Sequence, residues 1–377
     1  MPVLEAQRCS ACGTDNPADA LFCERCIAPL RIKSLADLDA EDFRLCAGAL
    51  AETLSFSPGE PEPSVIDDAT AELLDAYLHL HWLRPETALW QTLDARAVRN
   101  RESEYVRDPI LDLGCGDGTH SAVMFGTRFD PCFDVFAALR LKAADIYDAF
   151  DPLRYHPRVI RRGRRIGLGI DIRENMVKRA KTLGVYRTLR REDATNLSLV
   201  DESVSTVFSN VVRDFPDATC RAALREIARV LKPGGILILP APTPYWRDSL
   251  YFHPAAKILQ SSGDSAGARR MAELDRGRSS SFAQQISRPE WENRLADCGL
   301  EIIDCQATHA RQVVRFWDVG FRPFSVPLLN WIGGMDADRR FAVKRSLIAT
   351  LRPLLVRLLS IVPGDDAAHV MYFVRKK

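Results

Sequence analysis

The chain has 377 residues, 46% hydrophobic and 27% charged, with 51 Lys and Arg against 50 Asp and Glu. That length predicts roughly two or three domains of ~100–200 residues, with ample chain for a large core. A net charge of +1 gives no global argument for a charged partner and leaves that role to local clusters.

No uncharged apolar run reaches the ~18 residues of a spanning helix, so none is expected. Residues Met1–Arg8 include Glu5 and lack the apolar centre of a secretion signal. Ten cysteines are too sparse for an extracellular scaffold. We therefore expect a cytoplasmic protein with reduced thiols.

Cys9-Ser-Ala-Cys12 and Cys23-Glu-Arg-Cys26 are two CxxC pairs with ten residues between them. Two thiolates three positions apart on a tight knuckle can face one ion, and Gly13 suits the turn. Four sulfurs predict a closed, structural Zn2+ site in residues 1–32. A segment this short depends on the metal for its folding free energy. The pattern resembles the zinc ribbons of many nucleic-acid and protein-binding modules. With few aromatics and no dense basic face, it reads as a docking or structural module, with RNA contact the minor alternative.

Residues 33–66 are read as a helix and a linker. Ser34–Leu54 is helical, with Ser34 or Asp37 as the cap. Ser55–Ser64 holds three prolines and a glycine and supports neither helix nor central strand. The main domain is then 67–377, opening with helices over Asp67–Leu83 and Pro85–Arg99 that cover one side of the following sheet.

Asp108-Pro-Ile-Leu-Asp-Leu-Gly-Cys-Gly-Asp-Gly118 carries most of the functional signal. A short strand ends in Asp112, and Gly114, Gly116 and Gly118 alternate before a helix. Alternating glycines let a ligand approach the backbone, and helix N–H groups are donors. The spacing is GxGxG rather than the dinucleotide GxGxxG. An acid beside the glycines suits a zwitterionic amino-acid end, its amine toward the carboxylate and its carboxylate toward backbone N–H groups.

A second strand ends in Asp171, where an acid bonds a ribose diol. A third strand, near Tyr186–Leu189, precedes Asp193, an acceptor for an adenine amino group. Ser203–Val211 is a fourth strand and Asp217–Leu231 a helix. Lys232-Pro-Gly-Gly235 turns into a fifth strand, Ile236–Leu239. Strands alternating with helices predict a doubly wound, mostly parallel α/β sheet with its site at the carboxyl ends.

Over roughly residues 105–305 the sequence resembles the class I S-adenosylmethionine-dependent methyltransferases. LDLGCGDG is similar to their glycine motif, GIDIRENM to the acidic second-strand motif and EDATNL to the adenine loop. LREIARVLKPGGILIL is similar to their helix, turn and fifth strand. The resemblance implies a seven-stranded Rossmann-like sheet with an antiparallel last strand and S-adenosyl-L-methionine as cofactor. It implies a cofactor set of Asp112, Gly114, Cys115, Gly116, Gly118, Asp171, Ile172, Asp193, Ala194 and Asn210.

The nearest relatives in flavour act on small molecules and lipids. No NPPY-like tetrapeptide follows the fourth strand; Ser209-Asn-Val-Val-Arg-Asp-Phe-Pro216 stands there. Where relatives carry Glu-His, this chain has Arg213-Asp214. Methyl transfer is an in-line displacement dominated by alignment, and a base is needed only if the acceptor loses a proton. Asp214 and His253 are the catalytic candidates, with His309 a further one and Tyr245 and Trp246 as pocket walls.

Two segments read as insertions. Residues 125–165 carry Phe129, Phe133, Phe136, Leu139, Leu141, Ile146 and Tyr147, enough for a core of their own beside the crevice. Residues 310–365 separate a sixth strand, Leu300–Cys305, from a seventh, His369–Val374. Their Arg340–Ile361 stretch reads as a basic amphipathic helix, broken at Pro353. It lies either on an anionic membrane surface or, as we favour, against the core.

Twelve Lys and Arg from Arg158 to Arg191 form either a solvated face or a surface for an anionic acceptor, phospholipid or RNA. The leading expectation is methyl transfer to a small-molecule or lipid-linked acceptor. The alternatives are an RNA methyltransferase and a non-catalytic cofactor-binding protein.

Overall fold

A computed structural model describes residues 6–9, 13–18, 20, 23, 25, 30, 37–55, 66–138, 154–280 and 282–377. Helix α1 (Ala40–Leu54) starts later than its sequence suggests. Asp39 accepts the Asp42 N–H at 2.8 Å while Asp42 accepts that of Asp39 at 3.0 Å. This reciprocal box caps the helix in place of Asp37; Ser34 lies outside the described residues, as does most of the expected linker.

Helix α2 (Asp68–Leu80) is capped by Asp67, and α3 (Pro85–Asn100) opens on a proline that forfeits no helical bond. Their Leu73, Leu74, Tyr77, Leu78, Leu89 and Leu93 join one buried cluster with Ile110, Phe208, Ile238 and Phe373 of the sheet. The pair thus covers one sheet face.

The sheet strands are β1 (Ile110–Leu113), β2 (Ile166–Asp171), β3 (Tyr186–Arg191), β4 (Val204–Ser209), β5 (Leu231–Pro242), β6 (Leu300–His309) and β7 (His369–Lys376). Their spatial order is β6-β7-β5-β4-β1-β2-β3. Five strands are parallel, and β7 runs antiparallel to both β5 and β6. The expected seven-stranded Rossmann-like sheet is therefore present. β5 continues back through Lys232–Gly235 with a register shift, and β6 extends to His309.

The connecting helices are α4 (Thr119–Met124), α5 (Glu174–Leu183), α6 (Asp217–Val230), α7 (Phe252–Ser261), α8 (Ser265–Asp275) and α9 (Arg288–Ala296). Residues of α6 and α9 bury the second face, with Cys220, Leu224, Ile227 and Trp291 against Leu111, Val207 and Leu237. The strand order reverses beside β1, so a crevice opens at the carboxyl ends of β1, β2 and β4.

The described part of the first insertion has no separate core, contrary to expectation. Phe133 and Phe136 join the main cluster, and Trp82 Nε1 donates to Asp134 at 3.0 Å, tying the segment to the helical layer. Leu139, Leu141, Ile146 and Tyr147 lie outside the described residues.

In the second insertion α10 (Arg311–Val319) and α11 (Ser325–Gly333) precede α12 (Ala337–Leu359). The predicted break at Pro353 does not occur. Proline removes only its own backbone bond, and Leu351 and Leu355 on either side are buried. The apolar face of α12 packs inward, and Lys344, 1% exposed, donates to the carbonyls of Pro131 and Phe133 at 2.8 Å each. Among the described residues, no helix is long and apolar enough to cross a membrane.

Candidate active site

The glycine loop leaves β1 as Gly114-Cys-Gly-Asp-Gly118. Its glycines all have positive φ: +79°, +56° and +78°. At Gly114 a Cβ would stand 2.4 Å from Val211 Cγ1, whereas at Gly116 it would meet nothing within 4 Å. Gly114 therefore serves the packing of the β4 tip, and Gly116 faces open space.

The loop uses most of its own donors. Gly114 and Cys115 N–H both bond to Ile170 O, Gly118 N–H to Cys115 O, and Thr119 N–H to Asp117. Gly116 N–H donates to Asp171 at 2.9 Å. These amides are thus held within the protein, as a loop this tight satisfies itself.

Asp112 is 2% exposed and accepts from the Tyr186 hydroxyl at 2.6 Å. Burial pushes its carboxyl up to about 6, opposed by that hydrogen bond. Asp171, at the β2 tip, accepts from Gly116 and, at 2.8 Å, from Arg173 N–H, so it ties β2 to the loop. Burial raises its pKa against those bonds. Asp117 is held by Arg179 at 2.9 Å, and Arg179 lies over Tyr155 of the first insertion. The described part of that insertion thus reaches the crevice.

On the β3 side, Asp193 accepts from Thr195 N–H and hydroxyl, which shapes its turn, with Ala194 buried beneath. Its other oxygen accepts from Arg25 Nε at 3.0 Å. Cys9 and Cys23 are buried in one cluster with Leu30 and Ile172. The N-terminal segment therefore packs against the β2 and β3 tips. Cys12 and Cys26 of the expected Zn2+ clasp lie outside the described residues.

The opposite half of the edge differs. Ser209 Oγ, Asn210 Oδ1 and Asp214 Oδ1 at the β4 end are buried without hydrogen-bond partners, as is His120 Nε2 from α4. Burial pushes Asp214 up to about 7 against the attraction of Arg213, and drives His120 down to about 3. Arg213, 7% exposed, donates to His369 Nε2 at 2.8 Å.

His253 lies at the start of α7, where its charged neighbours are Lys257, Asp275, Arg247 and Asp248. Trp246 is a buried wall beside Trp90 and Phe282, while Tyr245 is exposed. His309 is fully buried and stacks on Trp90 with ring centroids 3.9 Å apart.

Sequence reading missed Asp94, buried in α3. Its signal was a carboxylate on the apolar stripe of Trp90, Leu93, Ala97 and Val98, where a charge is costly unless used.

The methyltransferase-domain family matches residues 154–239. Among solved structures, the chain is similar to a Thermotoga maritima S-adenosylmethionine-dependent methyltransferase described as a possible histamine N-methyltransferase. The identity is 15%, the TM-score 0.38, and the alignment covers 78% of this chain and 91% of that one. It is also similar to such a methyltransferase from Mesorhizobium loti, at 15% identity and TM-score 0.36, over 75% of this chain and 99% of the other. Neither likeness bears on the reaction. No curated protein sequence matches.

The family match begins within the first insertion and so excludes the glycine loop. It spans β2, β3, β4 and most of β5, so this part of the chain is a methyltransferase domain.

Proposed function

We propose that the enzyme transfers a methyl group to a small-molecule or lipid-linked acceptor held at the β4 end. The observation that carries this reading is the set of buried, unpartnered polar atoms on Ser209, Asn210, Asp214 and His120. Buried polar groups cost free energy until a ligand or water meets them. A recess of that kind suits a compact polar group.

The cofactor residues fit their group: Gly116 opens to free space, and Asp171 and Asp193 stand at neighbouring strand tips. S-adenosylmethionine supplies an electrophilic methyl on a sulfonium. Gly114, Cys115, Gly116 and Gly118 shape the cradle, Asp171 and Ile172 serve the sugar side, and Asp193 and Ala194 the base. Asn210 flanks the reacting end, and Asp214 is the residue we assign to hold or take an acceptor proton. His253 has no part in this reading. Zn2+ on Cys9, Cys12, Cys23 and Cys26 is proposed as a structural clasp.

The RNA alternative loses support from charge pairing. Of the twelve basic residues from Arg158 to Arg191, at least seven pair with carboxylates: Arg158, Arg161, Arg164, Lys178, Arg179, Arg190 and Arg191. The membrane alternative likewise loses the apolar face of α12 to internal packing.

Labelled S-adenosylmethionine offered with fractionated metabolite, lipid and RNA extracts tests the assignment. We expect label in the metabolite or lipid fraction and its loss with Asp214→Asn. Label confined to RNA overturns it.

A further inference from the structure

We infer that Asp94, His309 and His369 form a binding site for a divalent transition-metal ion, separate from the cysteine clasp. The three come from distant segments: Asp94 from α3, His309 as the last residue of β6, and His369 as the first of β7. The antiparallel ladder sets the two histidines opposite each other, and α3 crosses above that end of β6. All three are buried, at 2%, 0% and 0% exposure.

One ligand atom from each residue lies within 4.8 Å of the other two. Bonds of ~2.0–2.2 Å from N and O donors correspond to a triangle with sides of roughly 3.6 Å. A small inward turn of the side chains therefore closes the group on an ion, and no larger cavity is required.

Two of the donors are ready for such an ion. Asp94 Oδ1 and His309 Nε2 are buried without hydrogen-bond partners. His309 Nδ1 lies 2.8 Å from the Thr308 hydroxyl, which is also 3.2 Å from His369 Nδ1. One hydroxyl thus orients both imidazoles, an outer contact of the kind that fixes metal-ligating histidines. Trp90 stacks on His309 and lies edge-on to His369, 5.1 Å between centroids.

Arg213 is the competitor. Its guanidinium donates to His369 Nε2 at 2.8 Å, and a cation there opposes an incoming one. It also has a second place to go: its Nε is 3.7 Å from Asp214 Oδ1, an oxygen with no hydrogen bond. Metal entry would exchange the Arg213–His369 contact for Arg213–Asp214. Two nitrogens and one carboxylate select ions such as Mn2+, Fe2+, Co2+ or Zn2+ over Ca2+ or Mg2+, and three protein ligands leave positions for water or a substrate oxygen.

Mn2+ separates this site from the clasp, because thiolates favour softer ions. Full-length protein titrated with Mn2+ and followed by electron paramagnetic resonance should bind one ion per chain. Pulsed spectra should show couplings to two imidazole nitrogens. Asp94→Asn and His369→Gln, checked for folding by circular dichroism, should each weaken binding at least tenfold. Arg213→Leu should tighten it at least threefold, an effect that a purely structural polar cluster does not give. No bound Mn2+ in the wild type, a bound ion without nitrogen couplings, or folded Asp94→Asn protein with unchanged affinity overturns the site. Should both ligand variants fail to fold, the wild-type spectrum and the Arg213→Leu affinity decide. None of these readouts depends on methyl transfer or on the acceptor reading.

Discussion

The two halves of the sheet's carboxyl edge handle their polar groups in opposite ways. Around β1, β2 and β3, carboxylates are spent on the protein itself: Asp112 on Tyr186, Asp171 on Gly116 and Arg173, Asp117 on Thr119 and Arg179, Asp193 on Thr195 and Arg25. Around β4, β6 and β7, polar atoms of Ser209, Asn210, Asp214, Asp94 and His309 are buried and unmatched. The proposed cofactor side is thus a stiff, self-satisfied loop. The proposed acceptor side keeps unpaired groups, and on that reading specificity resides there.

The sharpest way to break this contrast lies within the loop. Gly114→Val places a branched side chain at φ +79° into Val211 and should cost about 4 kcal/mol or more of stability, read by denaturant unfolding. Gly116→Ala meets no atom within 4 Å but bears the strain of φ +56°, about 1–2 kcal/mol. That protein should fold yet bind S-adenosylhomocysteine at least tenfold more weakly in calorimetry. Equal effects of the two changes would erase the distinction between packing and cradle.

Asp171→Ala comes next. It removes the proposed ribose acceptor and the Gly116 tether together, so cofactor affinity should fall about tenfold or more, roughly 1.4 kcal/mol. Unchanged affinity by calorimetry would remove the residue from the cofactor set.

Asp214→Asn sharpens the acceptor half through pH. The folded carboxyl titrates near 7 against a usual value of 3.8, burial opposing its charge. Below pH ~4 both folded and unfolded chains hold the proton. As pH rises toward 7, only the unfolded chain releases it, so the wild type loses stability across that window. The variant should match the wild type near pH 4 and melt higher at pH 8. A parallel pair of melting curves would contradict the buried carboxyl.

The smallest effect belongs to Arg25→Ala. Its pair with Asp193 is partly exposed, 46% and 25% for the two side chains. Such pairs contribute about 1 kcal/mol or less, so stability should move within that bound. A larger loss in thermal unfolding would mean that the N-terminal segment holds the β3 tip in place.

How much could be read in advance follows the same division. Strands β1 to β4, the helix Asp217–Val230 and the glycine loop are local patterns, each set by neighbours within a few residues. The α1 cap was misplaced because three aspartates compete there, and only the reciprocal bonds of Asp39 and Asp42 choose among them. Pro353 misled because the packing of Leu351 and Leu355 outweighs one lost hydrogen bond. Asp94, Arg213, His309 and His369 meet only through topology, with 274 residues lying between the first and the last, and no local spacing announces them.

A crystal structure with S-adenosylhomocysteine bound tests the central assignment most directly. The ligand's sulfur end is expected over Gly116, its sugar at Asp171 and its base beside Asp193 and Ala194. A ligand lodged elsewhere on the molecule, or a glycine loop that stays closed to it at saturating concentration, would contradict that assignment.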